Sequence, residues 1–130
     1  MTGYLPRHTP GHAITRTASD TIIAGRLIDA TGAHAAEGSL TVIGVAAQDT
    51  TEGAPVTVYS GGIQHLIAAD AVAAGDLLVA AEDGKVAPAT EATPGDDDNA
   101  GTPGSDPLSI IGIALAAGGA DADIDVKFLR

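Results

Sequence analysis

The sequence predicts an all-β chain, and three observations carry that reading. Short runs rich in β-branched residues recur along its 130 residues. Glycines, prolines and acids break those runs at close intervals, as turns between strands do. Two of the runs, residues 56–59 and 124–128, alternate strictly between apolar and polar side chains, which is the period of a half-buried strand.

The elements follow in order. Residues 1–12 hold Gly3, Pro6, Pro10 and Gly11, which suit an extended arm and oppose a helix. Strands are expected at Ile22-Ile23, at Leu40-Thr41-Val42-Ile43 and at Val56-Thr57-Val58-Tyr59, and His65 beside Leu66 reads as strand as well. The alanine-rich residues 68–74 allow one helical turn, which Gly75-Asp76 stops. Leu77-Leu78-Val79, Ile110-Ile111-Gly112-Ile113 and Ile124-Asp125-Val126-Lys127-Phe128 complete the strand set. At most one short helix is expected.

An internal repeat organises these strands. Val42-Ile43-Gly44-Val45-Ala46 recurs as Ile110-Ile111-Gly112-Ile113-Ala114 at an offset of 68, which also carries Val56-Thr57-Val58 onto Ile124-Asp125-Val126. Upstream, residues 20–28 match residues 70–78 at an offset of 50. The second copy therefore contains an insertion, and residues 91–107, with five acids, three prolines and three glycines, have loop composition in the required place. The reading is an arm over 1–12 and a single small β domain over 13–130. Its copies lie at about 13–60 and 63–128, neither able to bury a core alone.

Composition narrows the function. Of 58 hydrophobic residues 26 are alanine, and Leu, Ile, Val and Phe number 29, so the core is lean and burial against other chains is expected to complete it. With no cysteine, disulfide scaffolds, thiol catalysis and zinc ribbons drop out. The formal charge of −11 opposes a nucleic-acid partner, which calls for a basic face. Tyr4, Tyr59 and Phe128 are too few aromatics for a base-stacking platform. No run approaches the 18 apolar residues that suggest a membrane span, and the first residues show no apolar leader.

No catalytic, cofactor or metal site is expected. His8 and His12 are separated by Pro10 and Gly11, which break the helix that would align them as ligands. Asp96-Asp97-Asp98-Asn99-Ala100-Gly101 fails the calcium-loop pattern, because Ala100 and Pro107 stand at the fifth and twelfth positions. Asp121, Asp123 and Asp125 alternate, but the first two read as turn residues. The serines lack a Gly-x-Ser-x-Gly elbow and the glycines lack phosphate-loop spacing. The chemistry that remains is binding. Residues 1–26 carry a net +2 and residues 27–130 a net −13, so a basic arm precedes an acidic body. An extended arm can add to a partner's sheet edge while Tyr4 and Leu5 fill pockets and Arg7 meets a carboxylate.

Ala74-Gly75-Asp76-Leu77, the hairpin Asp83-Gly84-Lys85-Val86, Ile111-Gly112-Ile113-Ala114, and the closing segment from Ala117 to Val126 (Ala-Gly-x-Ala-Asp-x-x-Ile-x-Val) resemble the head decoration, or capsid cement, proteins of tailed bacteriophages. The resemblance covers most of residues 13–130. It implies a small β-barrel or tulip-like fold and a homotrimer on the outer capsid surface, made in the host cytoplasm. It also implies an arm gripping the major capsid protein, for which Tyr4, Leu5, Pro6, Arg7, His8 and Arg16 are the candidates. The function expected is structural and non-enzymatic. The alternative is a displayed glycan- or host-binding module using the 91–107 loop.

Overall fold

The computed structural model describes residues 13–90 and 104–129. Nine strands occur among them: β1 (Ala13–Thr17), β2 (Leu27–Asp29), β3 (Val42–Ala46), β4 (Pro55–Tyr59), β5 (Ile63–Ile67), β6 (Leu77–Ala80), β7 (Val86–Pro88), β8 (Ile110–Ala114) and β9 (Asp123–Phe128). The chain is all-β, as its short branched runs imply. Two 3-10 turns, Glu82–Gly84 and Pro107–Ser109, stand where at most one short helix was expected. The helical turn that residues 68–74 allow does not form. Ala68 instead donates to the Ala122 carbonyl, and Val72 exchanges two backbone hydrogen bonds with Gly118, so pairing across the fold overrides local alanine propensity.

The strands form two antiparallel sheets, ordered β1-β4-β3-β2 and β5-β9-β8-β6-β7. Shifts of 50 and 68 residues superpose one ladder on the other. Ala13 faces Tyr59 in the first sheet and Ile63 faces Lys127 in the second. The register slips between Ile28 and Asp29 against β3, and between Leu78 and Val79 against β8. Even the isolated bridges match, Ile22 with Thr50 and Val72 with Gly118. The glycine in each Ile-Gly motif has a steric cause. A Cβ on Gly112 would sit 2.5 Å from the Lys127 carbonyl oxygen and 2.8 Å from Val126 Cγ1, and one on Gly44 would strike the Tyr59 carbonyl. A side chain at either position would push the neighbouring strand away.

Each sheet curls into a half-barrel whose open side is bridged by Ser19 N–H donating to the Gly32 carbonyl in the first and by Ala69 N–H donating to the Val86 carbonyl in the second. These bonds relate by 54 residues on the acceptor side, because the β6–β7 hairpin is four residues longer than its counterpart. Ala35 bonds back to Leu27, whereas Ala89 bonds back to Leu77. The rest of the second sheet's extra length lies between Ala89 and β8, where Pro107, the last residue of the 91–107 segment, opens a 3-10 turn.

Alternation decides which side chains fill each curl. Ile22, Ile28, Ala46, Val56 and Val58 fill the first, with Ile14 and Ile43 partly buried against them. Leu66, Leu78, Ile111, Ile124, Val126 and Phe128 fill the second. The second cluster also takes in Leu27, Val42 and Val45, which lie on the outer face of the first sheet. The two half-barrels thus pack front to back. At about 1.5–3 kcal/mol for each large apolar side chain fully buried, that junction contributes heavily to a lean core. Gly84 N–H donating to Ala35 O (3.0 Å) and Gly38 N–H donating to Ala80 O (2.9 Å) tie it together. Gly84, at φ +71, lies so near Leu27 that a Cβ there would be 2.7 Å from the Leu27 carbonyl oxygen.

Candidate functional site

β1, the first described element, is an edge strand of the first sheet. Ala18 donates to Ala54 and accepts from Gly53, so the antiparallel alternation turns the backbone groups of Ile14 and Arg16 toward β4. The backbone groups of Ala13 and Thr15 point to the free edge. Arg16, opposite Val56 in the ladder, is exposed, and its Nη2 donates to the Ala30 carbonyl at 3.2 Å. It borders a shallow depression with Thr17, Ala30, Thr31 and Gly32. The rim is shaped locally, since the Asp29 carboxylate accepts from the Thr31 backbone N–H at 2.9 Å and from its hydroxyl at 2.5 Å. Of the residues that the sequence nominates for binding, Arg16 alone is placed. Tyr4, Leu5, Pro6, Arg7 and His8 lie outside the described residues, as do His12 and the acidic run from Asp96 to Gly101.

Several other polar side chains are engaged in local structure. His65 Nδ1 lies 3.1 Å from the Asp123 carboxylate, both well exposed, and Lys85 Nζ donates to Asp121 at 3.1 Å. Asp123 is not a turn residue, as the sequence suggested. It begins β9 opposite Ile67 and shares the solvent face with Asp125. The buried Ser109 hydroxyl donates to the Asp106 carbonyl at 2.6 Å, capping the turn that leads into β8. His34 Nε2 accepts from the Ile23 backbone N–H at 3.0 Å. Burial lowers the His34 pKa and Arg26 adds to that, with Asp83 and Asp20 opposing. Among the described residues no group of three or more acidic or histidine side chains could hold a metal ion.

What this arrangement offers is surface: two curled sheets, an acid-rich exterior, and an edge strand at the start of the described residues. A family model described as phage cement protein matches residues 8–128. The chain belongs to the phage cement protein family. No curated protein matches it. Among solved structures, the N base of head fiber gp8.5 in bacteriophage phi29 is similar at 23% identity, with a TM-score of 0.64 over 89% of this chain and 92% of that one. That likeness concerns the fold. Family membership makes the chain a structural protein of the phage capsid, located in the virion.

Proposed function

We propose that this cement protein decorates the outer surface of a phage head as a homotrimer, gripping the major capsid protein with residues at its N-terminus. The observation that carries the reading is the family match across both sheets, residues 8–128. DNA packed inside a head pushes the shell outward. A protein that bridges neighbouring capsid subunits adds contacts that must break before the shell opens. This work needs no catalytic group, cofactor or metal, and we assign none.

Tyr4 and Leu5 are the apolar anchors of the grip, and Pro6 limits the entropy lost when the arm orders. Arg7 and His8 supply the polar contacts, and Arg16 carries positive charge onto the start of the body. A segment that leads into an edge strand is well placed to extend pairing onto another chain. Trimer formation would complete a core that has only 29 large aliphatic and phenylalanine residues.

The test is co-sedimentation with undecorated heads. The full chain binds in stoichiometric amount, and deletion of residues 2–12 leaves β-type circular dichroism and oligomeric state unchanged while removing most binding. Salt weakens the Arg7 contribution where that contact stays exposed. A truncated chain that still fills every site would place the grip on the body.

A further inference from the structure

We infer that copies of this chain join head to tail, repeating between molecules the packing that joins the two half-barrels within one. The inference deepens the self-association proposed above and rests on it. Its source is a difference between positions that the ladders make equivalent. On the outer face of the first sheet, Leu27, Val45 and Val42 are 0%, 4% and 8% exposed, because the second half-barrel covers them. Their counterparts on the second sheet are Leu77, Ile113 and Ile110. They occupy the same register, Leu77 facing Ile113 as Leu27 faces Val45. Leu77 is 47% exposed, the two isoleucines are partly exposed, and Ile63 beyond Lys127 in the same row is 65% exposed.

The covering surface has an uncovered counterpart as well. Within the chain, Val42 lines a small cavity with Ile111 and Phe128, whose rim Ile43 also reaches, and Val45 lines another with Gln64. The residues equivalent to Ile111 and Gln64 in the first half-barrel are Ile43 and Ile14, both partly exposed. Among the described residues neither has the cover that leaves Ile111 0% exposed. Applying the internal packing once more therefore sets Ile113 of one copy against Ile14 of the next, and Ile110 against Ile43. Leu77 then meets the exposed Ala30 turn, where Leu27 meets Gly84. The side chains that meet first are aliphatic, with Ile14 where the internal junction has Gln64, and Lys127 stands in the outer row where the internal junction has Tyr59.

The contact is heterologous, using two different patches, so it closes into a ring if the rotation permits and otherwise extends. A ring of three agrees with the trimer proposed above. The occupant is a second copy and not a foreign protein, because the chain itself carries both patches and packs their internal equivalents against each other.

The cysteine-free sequence permits a direct test on the full chain. Single variants Ile14→Cys and Ile113→Cys are mixed and oxidised. Mixed disulfide dimers are expected, with little cross-linking of either variant alone. Cross-linking of Ile113→Cys to itself would show a symmetric contact and overturn the inference. In parallel, sedimentation of Ile113→Glu is expected to show association weakened at least about thirtyfold, with circular dichroism unchanged. Unchanged association would leave the oligomer standing and remove this interface. A destabilised but still associated variant would mean that residues 91–103 cover the row. A wild-type chain that stays monomeric, both free and on heads, would remove the self-association itself, while stoichiometric head binding would still uphold the decorating role.

Discussion

Leu27 and Leu77 hold the same place in their two sheets, yet the first is 0% exposed and the second 47%. Both strands obey the same pattern, pair in the same register and carry the same slip one residue later. What differs is what lies above them. The first sheet has the second half-barrel stacked on its outer face, whereas on the second sheet Leu77 and Ile110 line an open cleft with Ala89, Thr90, Ser105 and Pro107. Local sequence thus dictates strand and register, while the order in which the halves stack dictates which outer row becomes core.

The largest way to test this comparison is to truncate both leucines. Leu27→Ala leaves a cavity at the junction and should cost about 2–5 kcal/mol in denaturant unfolding. Leu77→Ala in the dissociated chain should cost less than about 1 kcal/mol. Equal losses would mean that the outer row of the second sheet is already buried within one chain.

The glycines come next. Gly112→Ala forces the neighbouring strand outward from the Lys127 carbonyl, and Gly44→Ala does the same at Tyr59. Each is expected to lower stability by about 1–3 kcal/mol, the usual range for overpacking. The comparison sharpens if both fall together, because the two contacts are then one structural device used twice. A neutral Gly112→Ala would show that β8 and β9 can separate without loss.

Much of this was legible before the structure, and the misses have physical causes. β4, β6, β8 and β9 announce themselves through branched residues and alternation, since each has one face in a curl. The expected strand at Ile22-Ile23 is a lone bridge from Ile22 to Thr50, because Gly25 turns the chain two residues later. Leu40 and Thr41 likewise precede β3 and do not belong to it. β1, β2 and β7 were not read as strands. β1 ends in three exposed residues along a sheet edge, β2 and β7 are only three residues long, and β7 ends in Pro88. The repeat was visible as paired motifs. That Ile14, Ile43 and Ile113 form two halves of one contact was not, because burial depends on a stacking direction that no single window of sequence contains.

A smaller effect is expected from the loop that distinguishes the second half. Its neck is already closed, since Ser105 N–H donates to the Thr90 carbonyl at 2.9 Å and Thr90 N–H donates to Ser105 Oγ at 3.0 Å. Replacing residues 94–103 with a short Gly-Ser linker changes closure entropy by only about 0.6 kcal/mol per halving of length. The thermal midpoint should hardly move. A collapse of folding would show that the segment packs against the body.

The smallest expected effect separates the halves by acid. The backbone N–H of Ile23 donates to His34 Nε2 at 3.0 Å, whereas its counterpart in the second half, the N–H of Ala73, donates to the Asp76 carboxylate at 2.9 Å. Only a neutral imidazole can accept, and burial, helped by Arg26, lowers the His34 pKa below its ordinary 6.5. A depressed folded pKa means that the unfolded chain takes up the proton first. The contribution is therefore complete above about pH 6.5 and is lost as pH falls through the lower folded value. In His34→Gln, a carboxamide oxygen can accept the same bond without titrating. The stability difference between wild type and this variant should shift in the variant's favour as pH falls from 7 toward 5, across the range where an ordinary histidine begins to titrate. A difference that stays flat over that interval would show that the Ile23 bond does not depend on imidazole charge, and the two halves would then respond to acid alike.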